Sequence, residues 1–274
     1  MKKVLGIALG AGILLTACGS NGSPAADQKE VKFGEMMNKG EQISYKVKNY
    51  DGEQAPTKNS EIKYIIKTNK GKVTAYNVQD DIELKDIKDK SDKEIIDLAK
   101  KQDKKYMSQT KKGSIDKLEV NIKTLKGYIK NGDGNSKDSY QEDLAKEEKM
   151  LKELKNYKYD EPKERELKIK AVEDETGNNT AMEKFYAVPH DFDISTYKSK
   201  SDVAYDDKSH TYLSYDRGEG TMKIYDQNYA FLSDSDNEGD DEKDFLITPV
   251  SDKTEFSKLD EPDSKYVKAV DEEE

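Results

Sequence analysis

The chain changes its hydrophobic period twice, and this limits the folds open to it more than any other feature. Ile43, Tyr45 and Val47 alternate with Ser44, Lys46 and Lys48, and residues 61–68 and 72–78 repeat the alternation across Asn69-Lys70-Gly71. Period two is the mark of half-buried strands, and a short Gly-containing connection suits a hairpin. Between about residues 91 and 156 the period lengthens to that of helices. From Glu166 it returns to two: residues 166–172 and 181–188 flank a polar loop, and residues 210–215 and 221–225 flank Asp216-Arg217-Gly218-Glu219-Gly220 as a second expected hairpin. Phe245-Leu246-Ile247 predicts a last short strand before Pro249. Strands, then helices, then strands do not make a regular βαβ alternation. The expected fold is α+β: antiparallel sheet segments with one covering helix and an inserted antiparallel helical hairpin.

The helices have clear signals. Ser91-Asp92-Lys93-Glu94 is a capping-box sequence, in which Ser91 accepts from the Glu94 amide and Glu94 returns to the Ser91 amide. Ile95, Leu98 or Ala99, Gln102 and Tyr106 then mark a face that covers the preceding sheet. Farther on, Ile115, Leu118, Ile122, Leu125 and Ile129 recur at spacings of three and four, and Tyr140, Leu144, Leu151 and Leu154 nearly so after a Gly- and Asn-rich turn. Such a pair predicts a hairpin closed along a coiled-coil-like seam, wet where Glu147 interrupts it.

The N-terminus is of another kind. Lys2 and Lys3 precede an apolar run over residues 4–15, which Leu15-Thr16-Ala17-Cys18 closes. The run is too short to span a bilayer before the polar residues that follow Cys18. Cys18 is the single cysteine in 274 residues. The segment resembles the bacterial lipoprotein signal, or lipobox. That resemblance implies a signal peptide over residues 1–17, cleavage between Ala17 and Cys18, a diacylglycerol on the Cys18 thiol and an acyl chain such as palmitate on its new amine. It implies a membrane partner reached through lipid, and a location on the outer face of the bacterial plasma membrane. The run 33–105, with FGEMM, EIKYIIKTNKGKVTAYNV and SDKEIIDLAKKQDKK, is diffusely similar to uncharacterised surface lipoproteins of low-G+C Gram-positive bacteria, a resemblance that carries no activity with it.

Composition is consistent with a water-facing body. Charged residues make up 38% and the formal net charge is −10, with a mean hydropathy of −1.03. Such acidity argues against nucleic acid, whose phosphates must be met by Lys and Arg. With its lone cysteine committed to lipid, the chain has no disulfide and no thiolate chemistry. The expected organisation is a lipidated Cys18 with a flexible tether over 18–32, a β-meander plus helix over 33–108, the helical hairpin over 109–160, a β-rich region over 161–250, and a frayed acidic tail over 251–274.

Candidate sites are few. Asp234, Asp236, Glu238 and Asp240 resemble the start of an EF-hand loop, but its twelfth position is Phe245 instead of a bidentate Glu. A solvated acidic loop is the expected state; seven carboxylates lie between Asp234 and Asp244, and those four are the candidate ligands if a cation gathers there. His190 stands beside Asp191 and Asp193, and His210 is the only other histidine; neighbours on an extended segment point in alternate directions, so a loop histidine is expected and not a zinc site. Arg217-Gly218-Glu219-Gly220-Thr221 reads as a turn and not a phosphate loop, because a strand follows it. Tyr212, Tyr215, Tyr225 and Tyr229 supply either core aromatics, in a chain with no Trp, or an interaction surface. No catalytic motif is present, so no catalytic residue and no cofactor beyond the lipid are expected. The expected role is a binding or interaction module for an envelope or host protein. Its rivals are a transporter's substrate-binding lipoprotein and a wall-modifying enzyme with His190 as its only foothold.

Overall fold

The computed structural model describes residues 23–50, 52–132, 137–193, 198–199, 212–234 and 241–271. After a single 3-10 turn at Pro24–Asp27, the chain forms β1 (Glu30–Lys32), α1 (Phe33–Lys39), β2 (Glu41–Asn49), β3 (Glu61–Asn69), β4 (Lys72–Asn77), α2 (Leu84–Ile87), α3 (Asp92–Asn131) and α4 (Lys137–Asn156). Beyond the helices lie β5 (Arg165–Glu166), β6 (Ile169–Glu173), β7 (Thr180–Phe185), β8 (Phe192–Asp193), β9 (Lys198–Ser199), β10 (Leu213–Tyr215) and β11 (Arg217–Ile224). β12 (Gln227–Ser233), β13 (Lys243–Val250), β14 (Phe256–Lys258) and β15 (Lys268–Val270) complete the described chain. The fold is α+β. Nine strands form one sheet in the order β1-β14-β11-β12-β13-β2-β3-β4-β5, and four form another in the order β10-β7-β6-β15.

The strands before and after the helices belong to one sheet, because β13 pairs antiparallel with β2, setting Phe245 opposite Val47 and Ile247 opposite Tyr45. Both faces of this sheet are buried. Ile43, Tyr45, Val47, Ile65, Phe231, Phe245 and Ile247 pack beneath α2 and the first turns of α3. Ile66, Val73, Ala75, Ala230, Leu232 and Leu246 face the other way, onto α1 and the four-stranded sheet. In β3 the register slips where Lys46 pairs with Tyr64 and Val47 with Ile62. Lys63 is the extra residue, and the bulge lets Ile62 and Ile65 share a face despite their odd spacing. The β3–β4 hairpin turns on Lys70 (φ 49°) and Gly71 (φ 79°), the two positive φ values of a type I′ turn.

The capping box at Ser91 is present: the Ser91 amide donates to Glu94 Oε2 at 2.9 Å. Ile95 and Ala99 are buried against the sheet, roughly 1.5–3 kcal/mol for a side chain of isoleucine size. The covering helix does not stop there. It runs unbroken for 40 residues to Asn131, about 60 Å at the standard rise, so the expected boundary at 108/109 falls inside one helix. Nothing between Tyr106 and Ile115 breaks a helix, and Gly113 alone is too weak a signal to end one.

The hairpin seam is driest at its base. Leu118 and Leu154 are buried with Met107, and Tyr106, Ile115, Leu151, Tyr157 and Tyr159 pack around them. Lys111 Nζ caps the end of α4 by donating to the carbonyls of Lys155 at 3.2 Å and Tyr157 at 2.8 Å. Farther out, Glu147 accepts from Asn121 Nδ2 at 3.2 Å, a polar pair in the seam.

Four further expectations are corrected. Residues 23–32 are not a spacer: Ser23, Ala25, Ala26 and Val31 are buried, because small side chains fit between α1 and the end of the sheet. Residues 251–271 are not frayed, since β14 pairs with β1 and β11 and β15 pairs with β6. The charged residues that suggested a tail alternate with the buried Thr254, Ser257, Asp260 and Val270. Nor do β10 and β11 form a hairpin: β10 pairs with β7, and β11 pairs with β12 through a turn at Tyr225-Asp226. Gly218 serves β14 instead, for a Cβ there would lie 2.4 Å from the Ser257 carbonyl oxygen. Pro249 does not end the last core strand. It sits in β13 opposite Tyr229, beyond the pairs with β2, and its carbonyl accepts from Gln42 Nε2 at 2.8 Å.

Candidate functional site

A groove of about 730 Å³ opens at one end of the nine-stranded sheet. Its floor is the start of β2 and of β12, with Ile43, Tyr45 and Tyr229. Its wall is the link from α2 into α3, residues 87–97, held over the sheet by Ile87 and Ile95. The rim carries both charges, among them the Lys67–Glu41 ion pair and Lys88, whose Nζ lies 5.0 Å from the Tyr225 ring centroid. An apolar, aromatic floor below a mixed polar rim is the usual lining of a ligand cleft. The chain's first described residue docks at this end of the sheet, where the Ser23 amide donates to Gln42 Oε1 at 3.2 Å.

A second polar cluster joins the sheet to the hairpin. Asp103, buried on α3, accepts at Oδ1 from the Asn77 amide at 2.9 Å and from Asn77 Nδ2 at 3.0 Å. Its Oδ2 accepts from the Tyr159 hydroxyl at 2.9 Å. Burial pushes the Asp103 carboxyl above the ordinary range, and the hydrogen bonds from Asn77 and Tyr159 oppose that. The Tyr159 hydroxyl is raised, first by burial and then by the Asp103 charge. Nearby, Tyr106 is pushed up to about 12, first by burial and then by Asp191. Asn77 Nδ2 also donates to the His190 carbonyl at 2.7 Å.

A third group lies under the four-stranded sheet. Glu183 and Asp260 are buried together, with the Asp260 amide donating to Glu183 Oε1 at 2.6 Å. Asp260 Oδ2 accepts from the Gly34 amide at 2.7 Å, and its carbonyl accepts from Thr180 Oγ1 at 2.6 Å. Gly34 must be glycine for this approach, as a Cβ would lie 2.6 Å from Asp260 Oδ2. Glu183 Oε2 has no hydrogen-bond partner. Burial drives the Glu183 carboxyl well above the ordinary glutamate value, and the Asp260 charge pushes the same way.

The sequence candidates scatter. Ala17, Cys18, His210, Asp236, Glu238 and Asp240 lie outside the described residues, and Asp234 is half-buried at the end of β12. Tyr215 and Tyr229 are buried, Tyr212 is half-buried and Tyr225 is 47% exposed, so the four do not share a surface. Tyr229 alone reaches the groove. His190 enters the hairpin junction through its backbone. Among the described residues no group of three or more His, Cys, Asp or Glu side chains is placed to hold a metal ion, and no helix is long and apolar enough to cross a membrane. The groove and the Glu183–Asp260 pair had no advance signal, because each joins segments far apart in sequence. Nothing among known proteins supplies a template for either: no family model, no curated protein and no solved structure matches this chain.

Proposed function

We propose that this chain is a membrane-anchored extracytoplasmic lipoprotein that acts as a binding or interaction module. The observation that carries the reading is the short distance between the lipobox cysteine and the folded body. Ser23 is already docked on Gln42, and only residues 19–22 separate it from Cys18. Five Cα steps span at most about 18 Å. A lipid on Cys18 would thus hold the body against the bilayer, with the groove at the tethered end of the sheet. Two acyl chains would make that attachment stable, where one would not.

The expected result is that the full-length protein sediments with membranes and takes up labelled palmitate, while Cys18→Ala loses the label and moves to the soluble fraction. Equal labelling of the two would count against the anchor. The groove favours one further reading, a receptor that passes a small ligand to a transporter. Against it, the nine-stranded and four-stranded sheets share one core, and the strands and helices do not alternate as in a receptor of two α/β lobes.

A further inference from the structure

The outer face of the four-stranded sheet carries a row of like charges. Lys268 on β15 stands opposite Lys170 on β6, and Lys170 stands opposite Lys184 on β7, whose other neighbour is Ser214 on β10. Residues directly opposed across strands share a face. It is the face away from Ala171 and Glu183, which are fully buried on the core side; Lys268 is exposed on it, Lys170 and Lys184 are half-buried, and the buried Val172, Tyr186 and Val270 flank the row. At the usual strand separation the three lysines span about 10 Å.

Like charges opposed across strands are unfavourable, and the chain has 57 acidic residues with which to relieve them. It does not do so. Among the described residues no carboxylate forms an ion pair with Lys170, Lys184 or Lys268. The row is bordered instead by rings: Lys170 Nζ lies 5.8 Å from the Tyr186 centroid and Lys184 Nζ 5.2 Å from that of Tyr212. A basic row without an ion pair among the described residues, on a chain of net charge −10, is a surface that attracts an external counter-charge.

We propose that Lys170, Lys184 and Lys268 bind a linear, base-free phosphate polymer lying across the strands. The row holds only ammonium groups, compact point charges that serve phosphate oxygens well, whereas carboxylate recognition favours the two-pronged guanidinium of Arg. A nucleic acid strand would need free ring faces for its bases. Here Tyr186 and Tyr212 pack on each other with centroids 5.7 Å apart, and each already meets a lysine. The proposal deepens the binding-module reading and relies on it only for the compartment in which the polymer is met.

The test uses the full-length protein in mild detergent and the fluorescence anisotropy of dye-labelled inorganic polyphosphate. The wild type is expected to bind with an affinity that falls steeply with salt. The triple variant Lys170→Gln, Lys184→Gln, Lys268→Gln is expected to weaken binding by roughly tenfold or more and to flatten the salt slope. Its unfolding midpoint should be unchanged or higher, because a like-charge row has been removed. The matching Lys→Arg triple, which keeps the charge, is expected to bind within about threefold of wild type. Undiminished binding by the Gln triple would overturn the proposal. So would binding of poly-L-glutamate or single-stranded DNA of matched charge as tight as that of polyphosphate. Since binding is read in detergent, failure of the anchor in the Cys18→Ala experiment leaves this result standing, and the reverse holds too.

Discussion

Glu183→Gln is expected to stabilise the protein at neutral and alkaline pH by roughly 1–3 kcal/mol, the scale on which a buried polar group loses or regains its partner. The buried pair sets two carboxyl groups side by side: the Asp260 amide donates to Glu183 Oε1, and the Asp260 carboxyl lies within hydrogen-bonding reach of the Glu183 side chain, where it can accept from a Gln amide. Lys32 is the cation whose charge reaches the pair, but its ammonium is hydrogen-bonded to Glu261 at 3.2 Å. Glu30 is paired with Lys258 and Glu35 with Lys39, so neither brings free charge from β1 or α1.

The sign follows from linkage. Glu183 is raised in the folded protein above its ordinary value of 4.5. Its contribution to stability is therefore complete below about pH 4.5 and is lost as pH rises toward and through the folded value. Gln keeps the shape and the acceptor for the Asp260 amide, and it has no proton to lose. Denaturant unfolding of both forms between about pH 5 and pH 9 checks this: the advantage of the Gln variant should grow with pH. A constant difference across that range would mean that Glu183 titrates normally.

Asp103→Ala is expected to destabilise by roughly 2–4 kcal/mol, since it strands a buried backbone amide, a side-chain amide and a hydroxyl at once. Those donors come from Asn77 at the end of β4 and Tyr159 beyond α4, so the loss should loosen the hairpin from the sheet. Hydrogen exchange of residues 152–160 should rise more than that of β2 and β3. Uniform acceleration everywhere would show that Asp103 supports global stability without joining the two parts.

What the sequence made legible was local. The capping box at Ser91 and the alternation of Ile43, Tyr45 and Val47 depend on near neighbours, and both are found where the pattern places them. The β6–β7 hairpin is likewise a local pairing. The failures come from distant pairings. Residues 256–258 and 268–270 look like solvated tail until β1, β11 and β6 are there to pair with them. Gly218 and Gly220 resemble a turn because the requirement at Gly218 is set by Ser257, nearly forty residues later. The split of the tyrosines into core and surface also depends on the neighbouring strands. The groove is invisible for the same reason: Ile43, Ile95 and Tyr229 meet only after β2, α3 and β12 have assembled.

The central claim is that lipid on Cys18 holds this body at a membrane surface. It is tested most directly by mass spectrometry of the N-terminal peptide from the protein made in a lipoprotein-processing bacterium. Tryptic cleavage at Lys29 should release a peptide that begins at Cys18 and carries a diacylglycerol, with or without an amide-linked acyl chain. A peptide that begins elsewhere, or an unmodified Cys18, would contradict the account.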